Sequence, residues 1–380
     1  MVPEDSKATL VGRIWRPGIG PAVVRLENGE VVDITSRDIP TMQALLEADD
    51  PAAAARGAVG ETVCTLAELE AASVESAGAD DLRLLAPPDL QAIKAAGVTF
   101  AESMVERVIE EQAAGDADRA EAIRARVKSV IGDSLSGIEP GSDAAMQVKA
   151  VLQEEGLWSQ YLEVGIGPDA EVFTKCQPMA SVGTGAAVGL HPVSSWNNPE
   201  PEVVLAVNAR GAVVGATLGN DVNLRDVEGR SALLLGKAKD NNASCALGPF
   251  LRLFDGGYGM ADVRRAELTM RVEGEDGFVL EGHSSMTKIS RDPAQIVAQT
   301  IGAHHQYPDG FFLFLGTMFA PVKDRGAPGQ GFTHKGGDVV TISEPSLGAL
   351  SNTVRLSTEC PEWRFGTAAL MRNLAQRGLL

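Results

Sequence analysis

Residues 201–221 read PEVVLAVNARGAVVGATLGND, two valine-rich apolar runs on either side of a turn signal at residues 209–211. Runs of this length around a tight turn predict a pair of buried antiparallel strands. The same pattern recurs. Residues 10–36 carry short apolar runs broken by Pro-Gly, Gly-Pro and the Asn28 and Gly29 pair, a strong hairpin signal. Residues 267–285 predict another hairpin around residues 275–277, and residues 310–320 and 338–354 are two more buried stretches.

Helical patterns are fewer. They cover residues 39–58, 65–72, 100–131 and a segment capped by Asp292 with Pro293 in its first turn. In the third, Met104, Val105, Val108 and Ile109 share an apolar face, and Ser103, Glu106 and Glu110 fall on the other, which pattern alone assigns to solvent. The 41 glycines and 20 prolines follow no repeat and suit a turn-rich chain. The expected class is a β-rich α+β fold. The two prolines of LLAPPDL mark a boundary, giving a small N-terminal α/β domain at 1–83 and a larger domain at 84–380.

Charge removes several function classes. Fifty-one acidic against 33 basic residues give a net charge of −18, and no run of Lys and Arg forms a basic patch. Nucleic acid and anionic membrane surfaces are therefore not expected partners. No apolar stretch approaches the roughly 18 residues of a membrane span. The first residues lack the cationic start and apolar run of a signal peptide. The four cysteines (64, 176, 245, 360) stand far apart, as reduced thiols do, so a cytoplasmic location is the expectation.

Three places can carry chemistry. Glu200 and Glu202 sit two apart at a strand start, with Pro201 between them, so both carboxylates project from one face next to an apolar run. Like charges on a half-buried face call for a cation, although solvated carboxylates at a strand start are the plain alternative. Asp221 follows Gly219 and Asn220 at the end of the next strand. Glu200, Glu202 and Asp221 together would make an all-oxygen site for Mg²⁺ or Mn²⁺. Asp226 and Glu228 are equally acidic and nearby, so spacing alone does not choose among them. Lys239, in a polar loop after an apolar run, could act as a base or orient a keto oxygen if its pKa were lowered, with Lys237 as its competitor. The five histidines show no metal-ligand spacing, and dinucleotide, nucleoside-triphosphate and nucleophile-elbow motifs are lacking.

In this order, the LLAPPDLQAIKAAGVTF stretch, the EPE pair, GNDVNLRD, KDNNASCALGPF, FLGTMFAP and GDVVTISEPSLGALSNTV resemble the fumarylacetoacetate hydrolase family, over residues 84–354. The resemblance implies a mixed β-roll core, a divalent metal held by Glu200, Glu202 and Asp221, and a substrate with a 2-keto carboxylate. It also implies Lys239 rather than Lys237 as the site lysine, and Thr317 in the loop that receives the substrate carboxylate. Two departures stand out. Hydrolytic members carry a His-x-x-Glu pair that activates water; here GVTFAESMVERV places Ser103 at the histidine position and keeps Glu106. Asn242 stands where the family usually has Asp.

A serine of ordinary pKa does not deprotonate water, so hydrolysis loses its base. Within the family, NNPEPEVVL, GNDVNLRD followed by VEGRSALLL, KAKDNNASCA and HQYPDG resemble the bacterial branch that dehydrates 2-keto-3-deoxy-pentonates of the xylonate and arabinonate type. This implies enolisation and loss of water to 2,5-dioxopentanoate, with Lys239 and Glu106 as the two acid–base groups in undecided order. Thr99, Ser103 and Asn242 join Thr317 as expected substrate contacts. The alternative is a C–C bond hydrolase of acylpyruvates. A homodimer or homotetramer is the expected assembly.

Overall fold

The computed structural model describes residues 1–114, 116, 119, 120, 123, 137–154, 158–319, 321, 323–325 and 331–380. The runs at 201–221 form the antiparallel strands Pro201–Val207 and Val213–Asp221, with Glu202 opposite Gly219 and Leu205 opposite Ala216. They lie inside an eleven-stranded sheet. Its order is Glu61–Thr65, Glu30–Asp33, Gly20–Glu27, Leu10–Arg16, Cys245–Leu253, Val213–Asp221, Pro201–Val207, Phe311–Phe314, Ala92–Gly97 and Glu171–Cys176, with Arg83–Leu85 paired to Leu10–Arg16 off this path. A five-stranded sheet runs Val279–Ser285, Glu267–Glu273, Val339–Glu344, Gly348–Leu356 and Ala187–Leu190.

The continuous apolar run of Pro201–Val207 has a physical reason. All seven residues are buried because the strand has neighbours on both sides and cores on both faces. Val203, Leu205 and Val207 pack with Leu268, Met270, Val272, Val340 and Ile342 of the smaller sheet. Val204 and Ala206 turn the other way, to Val11, Val23, Met42 and Leu45. Each fully buried Val or Leu contributes roughly 1.5–3 kcal/mol, so the strand that leads out of Glu200 and Glu202 is firmly held.

The hairpin at Asn28 and Gly29 forms as expected, both residues with positive φ (53° and 81°). The hairpin Glu267–Glu273 to Val279–Ser285 forms too. Residues 39–58 fold as two short helices, Met42–Leu46 and Pro51–Gly57, because Asp50 caps the second and restarts the chain. Strands from residues 1–83 enter the large sheet directly, with Leu10 opposite Arg252 and Val11 opposite Leu251. Of the helix expected at 100–131, Ala101–Ala113 is present, and most of the remainder lies outside the described residues. Met104, Val105, Val108 and Ile109 are buried as their spacing requires.

Among the described residues, no helix is long and apolar enough to cross a membrane.

Candidate active site

Antiparallel pairing places the start of Pro201–Val207 beside the end of Val213–Asp221, with Pro201 opposite Asn220. The Asp221 amide donates to the Glu200 carbonyl (3.0 Å), and the Glu200 amide donates to Asn220 Oδ1 (3.1 Å). Register thus brings three carboxylates to one end of the hairpin. Glu200, Glu202 and Asp221 are buried, and each offers an oxygen within 4.8 Å of the others.

This donor set fits a hard divalent cation. Three buried carboxylates in contact repel one another, and an all-oxygen set is what Mg²⁺ takes. Burial, with the charges of Asp221 and Glu200, holds the Glu202 carboxyl well above the usual carboxylate range. Asp221 Oδ1 is buried and lies 2.7 Å from the Lys175 ammonium without an aligned hydrogen bond, so it keeps a lone pair that a cation could take. Asp226 instead accepts from Ser194 Oγ and the Ser195 amide (both 2.8 Å), as a capping residue does.

Three cations surround the cluster. Lys239 Nζ donates to Glu200 Oε2 (2.5 Å) and Asp221 Oδ2 (2.9 Å). Lys237 is exposed and lies 3.4 Å from His191 Nε2, so the competition between the two lysines resolves to Lys239. A lowered pKa at Lys239 is not what this environment produces. Burial pushes it down, but the charges of Asp221 and Glu200 outweigh burial and raise it, so the side chain is an ammonium and a proton donor. Lys175, fully buried, lies 2.7 Å from Asp221 Oδ1 while donating to the carbonyls of Val222 (3.2 Å) and Lys239 (2.5 Å). Burial raises the Asp221 pKa, and Lys175 with Lys239 more than reverses it, so the net shift is downward. Arg107 donates to Glu200 Oε1 (2.6 Å) and Glu228 Oε2 (2.8 Å).

Glu106 does not face solvent. It is 6% exposed, with its Oε2 3.6 Å from an Arg225 guanidinium that stacks 4.3 Å over Trp196. The solvent reading fails for Glu106 because its side chain is packed against Arg225, which the helical period does not encode. The Ser103 hydroxyl donates to the Phe100 carbonyl of its own helix (2.9 Å). Thr99 is buried and donates to the Leu315 carbonyl (2.7 Å). The next residue, Gly316, donates its amide to Glu202 Oε2 (2.6 Å) and has φ of +86°. A Cβ there would stand 2.1 Å from Thr99 Oγ1, so the close approach of this loop to the site needs glycine. Thr317 follows, its Oγ1 accepting from the Phe319 amide (3.1 Å). Asn242 departs from expectation. Its amide donates to the carbonyls of Ser357 (3.0 Å) and Pro361 (3.2 Å), so it fastens the C-terminal segment, and no contact places it among the carboxylates.

Lys175, Arg107 and Gly316 escaped sequence reasoning. A lysine in the strand EVFTKC and an arginine in the helix AESMVERVIEEQA both read as ordinary solvent-facing residues. Only the proximity of FLGTMFAP to the other motifs pointed toward Gly316.

Residues 197–355 match the family described as fumarylacetoacetate (FAA) hydrolase C-terminal. A probable 2-keto-3-deoxyxylonate dehydratase of Haloferax volcanii is 29% identical over 202 residues, covering 53% of this chain and 66% of that protein. A 2-dehydro-3-deoxy-D-arabinonate dehydratase of Saccharolobus solfataricus is 29% identical over 185 residues, 49% of this chain and 58% of that protein. The matched segments thus span less than two thirds of either relative. The solved structure of a 2-keto-3-deoxy-D-arabinonate dehydratase complexed with magnesium and 2,5-dioxopentanoate matches 91% of this chain and 99% of its own, with a TM-score of 0.63 at 20% identity. Its apo form matches equally well. At that identity the likeness speaks for the fold, and it bears out the β-rich α+β class. The match to the fumarylacetoacetate hydrolase C-terminal family thus covers residues 197–355, less than half of the chain.

Proposed function

We propose that this protein is a metal-dependent hydro-lyase that removes water from a 2-keto-3-deoxypentonate to give 2,5-dioxopentanoate. The observation that carries the reading is the buried cluster of Glu200, Glu202 and Asp221 with the Lys239 ammonium inside it, on a chain with Ser103 where a water-activating histidine would stand. The names of the two curated relatives, and the product bound in the structural relative, support the same substrate class.

Glu200, Glu202 and Asp221 would hold Mg²⁺, which when bound polarises a 2-keto carboxylate and acidifies its C3 hydrogens. The protein supplies the proton movements. Lys239, held as an ammonium, donates to the departing C4 hydroxyl or to the keto oxygen. Glu106, beside Arg225, accepts the C3 proton. Thr99, Ser103 and Thr317 would bind the carboxylate and hydroxyls of the acid. Ser103 spends its proton on the Phe100 carbonyl and is no base for water. Residues 1–83 we assign to a small N-terminal unit that braces the sheet, and the working form to a homo-oligomer.

The test is an assay of the purified protein with 2-keto-3-deoxy-D-xylonate and its L-arabinonate counterpart, with Mg²⁺ and with EDTA, following aldehyde through a coupled dehydrogenase. Metal-dependent aldehyde formation supports the reading. No aldehyde, together with pyruvate release from acylpyruvates, would assign the protein to the hydrolases instead.

A further inference from the structure

We propose that Asn198 and Asn223 form the subsite that binds the terminal C5 hydroxyl of the 2-keto acid, one step along the strand ladder beyond the carboxylates. The inference rests on the reading of the substrate above and deepens it. The register of the hairpin does not end at the carboxylate cluster. Glu202 stands opposite Gly219 and Pro201 opposite Asn220, and farther along Asn198 stands opposite Asn223 and Asn197 opposite Leu224. Val203, Leu205, Ala216, Leu218, Val222 and Leu224 share one core, so they occupy one face of this ribbon. Alternation then puts Asn198, Glu200 and Glu202, with Asp221 and Asn223, on the other face. The two asparagines are a cross-strand pair lying two residues, roughly 6.5 Å, past Glu200 and Asp221.

Both side chains are buried with polar atoms left over. Asn223 is wholly out of reach of solvent, and among the described residues neither its Nδ2 nor its Oδ1 has a hydrogen-bond partner. Asn198 is buried too, and its Nδ2 donates to the Pro199 carbonyl (2.9 Å), which leaves Oδ1 as its free end. The neighbouring buried asparagines are different. Asn197 Oδ1 accepts from the His334 amide (3.1 Å), Asn208 Oδ1 from the amides of Arg210 (3.1 Å) and Ala212 (3.0 Å), and Asn220 Oδ1 from the Glu200 amide (3.1 Å). Those three hold the chain, whereas the free atoms of Asn198 and Asn223 hold nothing within it. A buried carboxamide without partners costs stability, so a ligand that completes its bonding is the gain that offsets the cost. Lys175 keeps the backbone in place here, its Nζ donating to the carbonyl of Val222 (3.2 Å), between Asp221 and Asn223.

The free atoms select the ligand. Asn223 offers an amide donor and a carbonyl acceptor, and Asn198 offers a second carbonyl acceptor. A carboxylate only accepts, and would meet two carbonyl oxygens. A hydroxyl both donates and accepts, so it can use both residues at once. The polar groups of the acid are thereby sorted along one ribbon face, with the 2-keto carboxylate at the carboxylate cluster and its cation and the alcohol end at the asparagines. Of the two hydroxyls, the one on C4 departs with a proton from Lys239, which sits against Glu200 and Asp221. The C5 hydroxyl lies one carbon farther from the chelated end, and the asparagine pair lies beyond those same two carboxylates. Holding C5 draws the carbon chain out past the lysine and selects acids that carry a terminal hydroxyl.

The test compares 5-hydroxy-2-oxopentanoate with 2-oxopentanoate. Neither carries a C4 hydroxyl, so no water can leave and binding is read without turnover. Both are titrated calorimetrically into the full chain loaded with Mg²⁺, as wild type and as the variants Asn223→Leu, which fills the space with apolar atoms, and Asn223→Ala, which cannot clash. Wild type is expected to bind the hydroxy acid about tenfold more tightly, the worth of a hydrogen bond to a buried amide. Both variants are expected to lose that preference while keeping their affinity for 2-oxopentanoate and for Mg²⁺. A purely structural asparagine would weaken both acids together. A wild type that binds the two acids alike, as it would if water filled the subsite, overturns the inference. So does a preference retained in Asn223→Ala, or a loss shared equally by the two acids. Wild-type protein that prefers the hydroxy acid yet forms no aldehyde from the 2-keto-3-deoxypentonates would sink the dehydratase reading and leave the subsite standing, whereas an active enzyme indifferent to the terminal hydroxyl sinks the inference alone.

Discussion

Lys175 brings its ammonium to 2.7 Å from Asp221 Oδ1, with neither side chain reached by solvent to any useful extent. The lysine also ties the carbonyls of Val222 and Lys239, so one side chain links the strand end that carries Asp221 to the helix end that carries Lys239. Replacing it by Met leaves a buried carboxylate short of its counter-charge. Lys175→Met should lose about 3–5 kcal/mol of stability, read from urea unfolding of the metal-free protein. A loss under about 1 kcal/mol would mean that Lys175 is not what balances Asp221.

Mg²⁺ should stabilise the protein by mass action. At a free concentration one hundred times Kd the gain is about 2.7 kcal/mol, visible as a higher melting temperature that EDTA reverses. Glu202→Gln removes one of the three carboxylates and should abolish most of that rise. A variant that responds to Mg²⁺ like wild type would place the ion elsewhere.

The metal-free protein should become less stable between pH 5 and pH 8. Glu171, pushed up to about 7, and Glu202, held well above the usual range, bind protons more tightly when folded than when unfolded. Their contribution is complete below the unfolded value near 4.5 and disappears as pH rises through the folded value. Asp338 works in the opposite sense. Burial raises it, but His334 and Arg325 bring it down to about 2, so its contribution is present above pH 4 and lost below. Unfolding of EDTA-treated protein across this range should show the decline, reduced in Glu171→Gln. A flat profile from pH 5 to pH 8 would contradict it.

Lys239→Met should reduce kcat about 10²–10⁴-fold, while Lys237→Met, on an exposed lysine beside His191, should leave kcat and KM near wild type. Equal losses in the two variants would remove the distinction that the ion pairs to Glu200 and Asp221 draw between them.

The amino-acid sequence by itself determined what is local. A valine-rich pair of runs around a tight turn can pair in few registers, because a one-residue slip would turn one strand's two sets of side chains to the wrong cores. Once the register holds, Glu200, Glu202 and Asp221 must meet, since antiparallel pairing returns the chain to where it began. Spacing thus brought the three within reach as candidates, with Asp226 and Glu228 still open until the family resemblance chose; the hairpin turns, the Asp292 cap and the apolar face of Ala101–Ala113 were legible directly. The tertiary structure decided everything that arrives from a distant strand or helix. Lys175 reaches Asp221 because Glu171–Cys176 joins the sheet beside Ala92–Gly97, and Arg107 reaches Glu200 because its helix lies beside that strand start. A lysine or glutamate in a strand has the same alternation pattern whether its face meets water or three buried carboxylates. Periodicity reports that a residue differs from its apolar neighbours, and only the packing of the strands and helices decides what stands opposite it.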